Sequence, residues 1–268
     1  MLGRLRRHWR LQREQAALRR RAIPDDLWKR TLVRYPFLQR RAAEDAAALR
    51  RLTSLFLDRK EFSAAGGLQL GDAMVVAIAA QAVLPVLRLG LQAYDGFVGI
   101  VVHPDQVVAR RQVADDAGVV HEYDELLAGE AVQGGPVMLS WRDVRAAGPG
   151  AAQGYNVVIH EFAHVLDMGD GVANGVPLLP TELPVAAWRA TLHEEYERFA
   201  RRVDAGEDTA LDPYGATAED EFFAVASEAF FVSPQAMQAE HPVLYAMLGR
   251  YYRQDPATDT LPSRRSRA

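Results

Sequence analysis

The sequence contains no cysteine, so neither a disulfide framework nor a thiolate zinc site is possible, and any metal must be held by His, Asp or Glu. That absence fits a reducing compartment. Long apolar runs are missing too. The longest uncharged apolar stretch, residues 73–87, contains Gln81 and Pro85 and falls short of the roughly 20 residues that span a bilayer, so it reads as a buried helix and no membrane span is expected. The start, Met1-Leu2-Gly3-Arg4-Leu5-Arg6-Arg7-His8-Trp9, runs into further charge where a secretory signal would have an apolar core, and export is not expected.

What is present is an ordinary globular composition, 49% hydrophobic over 268 residues, enough for one large or two small cores. The net charge of −4 hides an asymmetry. Residues 1–60 carry 17 Lys and Arg against 6 Asp and Glu, leaving 14 against 29 for the remainder. A basic start of this kind most easily meets the acidic body of its own chain. Nucleic acid is not an expected partner, because there is no interleaved aromatic platform and no recognisable reader motif.

Along the chain, residues 4–21 read as a solvated basic helix, and Pro24-Asp25-Asp26 opens a short helix and turn. Leucines at 49, 52 and 55 with Phe56 give an amphipathic helix over 42–62, and Gly71-Asp72 starts the apolar helix that ends near Pro85. Between Tyr94 and Trp141 the texture turns to short β-branched runs. Residues 97–102, 119–123 and 136–141 are the strand candidates of a small sheet, with Gly148-Pro149-Gly150 leading onward. A proline-rich loop from Gly175 to Pro184 precedes a helix over 186–203, and the tail from Asp255 reads as disordered.

The stretch with chemical content is Val157-Val158-Ile159-His160-Glu161-Phe162-Ala163-His164-Val165-Leu166-Asp167. Four helical residues advance about 400°, so His160 and His164 stand one turn apart on one face and both imidazoles can reach one ion, with Glu161 beside it. Two satisfied core histidines would look alike over five residues. The apolar neighbours argue otherwise, since a buried and unpaired His-Glu-His trio is costly. His103 and His121 have no partner at metal spacing, and with His193 and His241 they are expected in ordinary structural roles.

Two histidines leave a catalytic zinc one protein ligand short. Glu221 and Glu228 lie two turns apart on one face of an otherwise apolar helix that also holds Phe222, Phe223, Val225, Phe230 and Phe231. Chemistry alone does not choose between them: one could bind the metal and the other orient a ligand imidazole. Tyr214, seven residues before Glu221, could steady an oxyanion or merely pack against its loop.

The runs His160-Glu161-Phe162-Ala163-His164-Val165-Leu166-Asp167-Met168, Gly175-Val176-Pro177 and Glu221-Phe222-Phe223-Ala224-Val225-Ala226-Ser227-Glu228-Ala229-Phe230-Phe231 resemble the Mlc titration factor A family. Arg59-Lys60-Glu61-Phe62, Ala79-Ala80-Gln81-Ala82 and Leu139-Ser140-Trp141 match it as well, so the resemblance spans roughly residues 25–256. It implies a cytoplasmic zinc peptidase whose catalytic core is similar to that of anthrax lethal factor. On that resemblance one zinc is held by His160, His164 and Glu221, Glu161 is the general base and Tyr214 the transition-state phenol. It also implies aminopeptidase-like activity on peptide or protein substrates, and a partner of the Mlc repressor type linked to control of glucose uptake. The expected architecture is α+β: a mainly helical zincin-type domain over 24–254 with a small sheet beside the active-site helix, a basic extension over 1–23 and the tail over 255–268. The rival expectation is a non-catalytic protein that sequesters a transcription repressor.

Overall fold

The computed structural model describes residues 2–114, 120–148 and 154–258. Residues 149–153, which include two of the three Gly-Pro-Gly positions, residue 119 of the middle strand candidate and most of the tail lie outside the described residues. The chain is mainly helical with a small sheet, as the α+β expectation had it.

Three helices open the chain, α1 (Leu2–Arg20), α2 (Asp25–Arg34) and α3 (Ala43–Arg59). Asp25 and Asp26 favour the positive N-terminal end of α2, and Pro36 stops it. The basic start meets the body of its own chain. Ala17 of α1 is buried, and Arg20 reaches Asp58 of α3 at 3.0 Å. Leu49, Leu52, Leu55 and Phe56 form the buried stripe of α3.

Helix α3 ends earlier than its apolar spacing suggests. Lys60 is already extended, and Glu61–Ala64 forms strand β1. The lysine itself accounts for the switch. Its ammonium donates to the carbonyls of Tyr94 and Phe97 and lies 3.8 Å from the centre of the Phe97 ring, pinning the chain where it turns from helix to strand. After α4 (Asp72–Ala82), strand β2 (Gly99–His103) pairs in parallel with β1.

The next strands depart from the expected three-strand arrangement. Strand β3 (Val107–Ala114) pairs antiparallel with β4 (Val120–Leu127), and among the described residues this hairpin is a sheet of its own. The charged Arg110 and Arg111 interrupt β3's apolar pattern, which is why it did not read as a strand. The main sheet is completed by β5 (Gly129–Ala131) and β6 (Val137–Ser140), in the order β1-β2-β6-β5. Among the described residues only β5 runs antiparallel within it.

Helices α5 (Trp141–Ala146), α6 (Val157–Asp167), α7 (Val185–Asp204), α8 (Glu219–Val232), α9 (Pro234–Glu240) and α10 (Pro242–Tyr252) complete the chain. Phe162 of α6 stands 5.0–5.7 Å, ring centre to ring centre, from Tyr94, Phe97 and Phe56, which fastens α6 to α3 and the sheet. On its other side α6 packs against α8, which is buried from Phe222 to Val232. No helix among the described residues is long and apolar enough to cross a membrane.

Candidate metal centre

Helix α6 begins at a fixed point. Asn156 caps it, its side-chain oxygen accepting from the Ile159 N–H at 3.0 Å, while its amide donates to Gln81 of α4 at 2.8 Å. From that start the helical repeat brings His160 and His164 together, ring centres 4.9 Å apart and Nε2 atoms 3.2 Å apart. Glu221, in the first turn of α8, places Oε2 at 3.0 Å from His160 Nε2 and 3.3 Å from His164 Nε2.

The donor set fits a divalent cation. Ligands each about 2.0–2.1 Å from a tetrahedral ion stand about 3.3 Å from one another. The observed separations of 3.0, 3.2 and 3.3 Å match that spacing. Among the described residues this is the group of His and acids that could hold a metal. The other histidines behave structurally where described: His193 pairs with Glu219 on the surface and His241 is buried against Glu195 at 3.1 Å. His103 belongs to no such group, and the His121 side chain lies outside the described residues.

Glu228 occupies the opposite side of His160. Its Oε1 lies 2.7 Å from Nδ1, and its Oε2 accepts from the Asn156 backbone N–H. With the Nδ1 proton given to Glu228, the Nε2 lone pair of His160 faces His164 and Glu221. The two glutamates thus sit on different nitrogens of one imidazole.

The electrostatics agree with a cation site. Burial disfavours a charged Glu221, but hydrogen bonds from His160 and His164 outweigh it and hold the carboxyl well below the usual range. Burial likewise opposes charge on His160, yet Glu221, Glu228 and the charge of Glu161 push its pKa well above the ordinary value. Glu161 is 5% exposed, and burial pushes its carboxyl up to about 7 despite the neighbouring histidines.

Backbone and loops close around this group. Gly129 of β5 passes so near that a Cβ there would stand 2.6 Å from Cγ and Oε1 of Glu161. At the end of α6 the buried Asp167 accepts the N–H groups of Asn174 and Gly175, both at 2.8 Å, and anchors the loop that follows. Tyr214 sits in a short 3-10 turn, Pro213–Ala216, fixed by Asp212 accepting its N–H at 2.9 Å. Its ring centre is 6.0 Å from that of His160, and the residue is 46% exposed.

Two cavities flank the cluster. One of ≈ 190 Å³ lies beside His160 and Glu161 and is bounded by Leu127, Tyr155, Val157, Tyr214 and Val225. The other, of ≈ 250 Å³, lies beside His164 and Glu221 and is bounded by Glu130, Met168, Ala173 and Asp220. Ala173 belongs to the segment after α6, which therefore runs past the cluster. The structure brings His160, Glu161, His164, Tyr214 and Glu221 into one place. Sequence reasoning missed Gly129, Tyr155 and Asn156; an Asn directly before an apolar helical run is a capping signal that could have found the last.

A family model described as glucose-regulated metallo-peptidase M90 matches residues 6–253. The chain is 36% identical over 236 residues to Mlc titration factor A of Salmonella arizonae, covering 87% of this chain and 92% of that one. The protein of the same name from Salmonella gallinarum is 36% identical over 225 residues, covering 83% and 84%. An uncharacterized protein of Synechocystis sp. is 36% identical over 251 residues, covering 93% and 90%. A metal-ligand geometry inside a match of this extent leaves one placement: the chain belongs to the glucose-regulated metallo-peptidase M90 family.

Proposed function

We propose that this chain is a zinc-dependent peptidase of aminopeptidase type, holding one zinc through His160, His164 and Glu221. The observation that carries the reading is the meeting of two Nε2 atoms and one Oε2 at ligand spacing while Glu228 takes the remaining nitrogen of His160. Without thiolates, two imidazoles and a carboxylate suit zinc and leave a position for water. A bound zinc supplies Lewis acidity, acidifying water and drawing electron density from a carbonyl.

The chain's own residues do the rest. Glu161 accepts a proton from the attacking water and passes it to the departing amine, a role that its buried place beside His160 suits. The Tyr214 phenol donates a hydrogen bond to the oxygen of the scissile carbonyl as charge develops there. Glu228 keeps His160 in one tautomer and orientation. We assign the catalytic domain to residues 24–254 and place the protein in the cytoplasm.

Metal analysis and hydrolysis of amino-acid p-nitroanilides test the reading. Wild type should hold about one zinc and turn over; Glu161→Gln should keep zinc and lose about 10²–10⁴ in rate; Glu221→Ala should bind zinc poorly. A wild type that binds no zinc would sink the proposal.

A second reading rests on the name of the Salmonella relatives, Mlc titration factor A. In it the chain binds a repressor of the Mlc type, in the manner of a sequestering protein, and hydrolysis is incidental. If Glu161→Gln still captures such a repressor, partner control is stoichiometric and separate from catalysis.

A further inference from the structure

The two helices that carry the metal ligands also carry an apolar surface in register with them. Val157 stands one turn before His160 and Glu161 on α6, and Val225 stands between Glu221 and Glu228 on α8 at the i, i+4, i+7 spacing of one face. Both valines are buried, 2% and 3% exposed, and they form the floor of the ≈ 190 Å³ cavity. The end of β4 contributes Leu126 and Leu127, and Tyr155 closes a side. His160 and Glu161 line the same space, so it opens directly onto the place where a bond would be cut.

Size and lining fix what such a space accepts. An engineered cavity of about 150 Å³ lined by aliphatic side chains stays dry and binds benzene, so ≈ 190 Å³ is room for a leucine, methionine or phenylalanine side chain. An alanine methyl would leave most of it empty. Asp212, Tyr214 and Glu228 also line this space, but its wall is mostly apolar, whereas the neighbouring cavity, with Glu130 and Asp220 on its walls, is mostly polar.

From this geometry we infer that the cavity over Val157 and Val225 is a specificity pocket that takes a large apolar side chain of the residue flanking the scissile bond, with Val225 setting its depth. The inference rests on reading the His160–His164–Glu221 cluster as a peptidase site. Substrates of the chain are accordingly peptides with Leu, Met or Phe at the cleavage position. Val225 has little room to move away, because it is packed against Gly215, where an added Cβ would stand 3.2 Å from its own Cβ.

The test compares Leu-Ala, Ala-Leu and Ala-Ala, with Phe-Ala and Ala-Phe added for the Val225 variants, so that either flank of the bond can use the pocket. Hydrolysis is followed with the zinc-loaded wild type, and binding by calorimetry with zinc-loaded Glu161→Gln. One of the leucine dipeptides should exceed Ala-Ala by at least about tenfold in kcat/KM and in affinity. Val225→Phe, which fills the pocket, should erase that advantage. Val225→Ala, which should fold more readily, should move the preference from Leu toward Phe. Equal use of all three dipeptides, or equal loss on all three in the Val225 variants, overturns the pocket. Absence of hydrolysis with the binding preference intact overturns the peptidase reading and leaves the pocket standing.

Discussion

Replacing Gly129 by Ala adds one methyl group and touches no residue proposed to hold metal. Gly129 pairs with Leu139 in β6, so its backbone is held by the ladder and cannot easily retreat. The new Cβ would lie 2.6 Å from Cγ and Oε1 of Glu161 and 2.8 Å from Cδ. Comfortable carbon–carbon contact begins near 3.5 Å, so Glu161 must move by about 1 Å. A misplacement of that size at a reacting group costs about 10² in rate, or about 2.7 kcal/mol of transition-state stabilisation. Crowding the buried site should also cost about 1–3 kcal/mol of stability. The assay is kcat/KM on a p-nitroanilide with a zinc titration in parallel: turnover should fall by about 10² while zinc affinity stays within about threefold. Shortening the base in the double variant Gly129→Ala, Glu161→Asp relieves the contact and should be less damaging than the product of the two single losses. A Gly129→Ala enzyme with wild-type turnover, or one whose zinc affinity falls in step with activity, would refute the reasoning.

Glu228→Gln keeps the shape of the side chain but removes the charge from His160 Nδ1 and should weaken zinc binding by about 10–100-fold, read by competition with a chelator. Burial pushes the Asp167 carboxyl up to about 6, so the folded state holds its proton more tightly than the unfolded chain does, and wild type is relatively destabilised as pH rises from about 4 through 6. Urea unfolding in the presence of a chelator at pH 4.5 and pH 7.5 should therefore show Asp167→Asn gaining on wild type at the higher pH, by up to about 2 kcal/mol; a pH-independent difference would contradict the assignment. Asn156→Ala loses the cap of α6 and the bond to Gln81, and should lower stability by about 1–2 kcal/mol in thermal unfolding.

The candidate site was legible where chemistry and helical period coincide. His160, Glu161 and His164 need only a helix to become neighbours, and Val157 to Asp167 is helical in the structure. Two acids on an apolar helix announced a buried role for Glu221 and Glu228, but which nitrogen each would face depends on how α8 lies across α6, a tertiary fact no local pattern carries. Gly129 was invisible because a glycine in a turn-rich stretch has many uses, and its use here is clearance for a side chain 32 positions onward. The fold followed the same rule. Helices with apolar stripes were placed to within a few residues. Strand β1 was hidden behind a helical pattern that Lys60 interrupts through contacts made 34 and 37 residues away. Strand β3, with its two central arginines, carried no alternation to read.

The β3–β4 hairpin contributes Leu126 and Leu127 to the cleft, and among the described residues it shares no ladder with the main sheet. The rim of the site is therefore built on a module separable from the scaffold that aligns His160, His164 and Glu221. Insertions, deletions or charge changes in the hairpin can reshape which peptides gain entry while leaving α6 and α8 undisturbed.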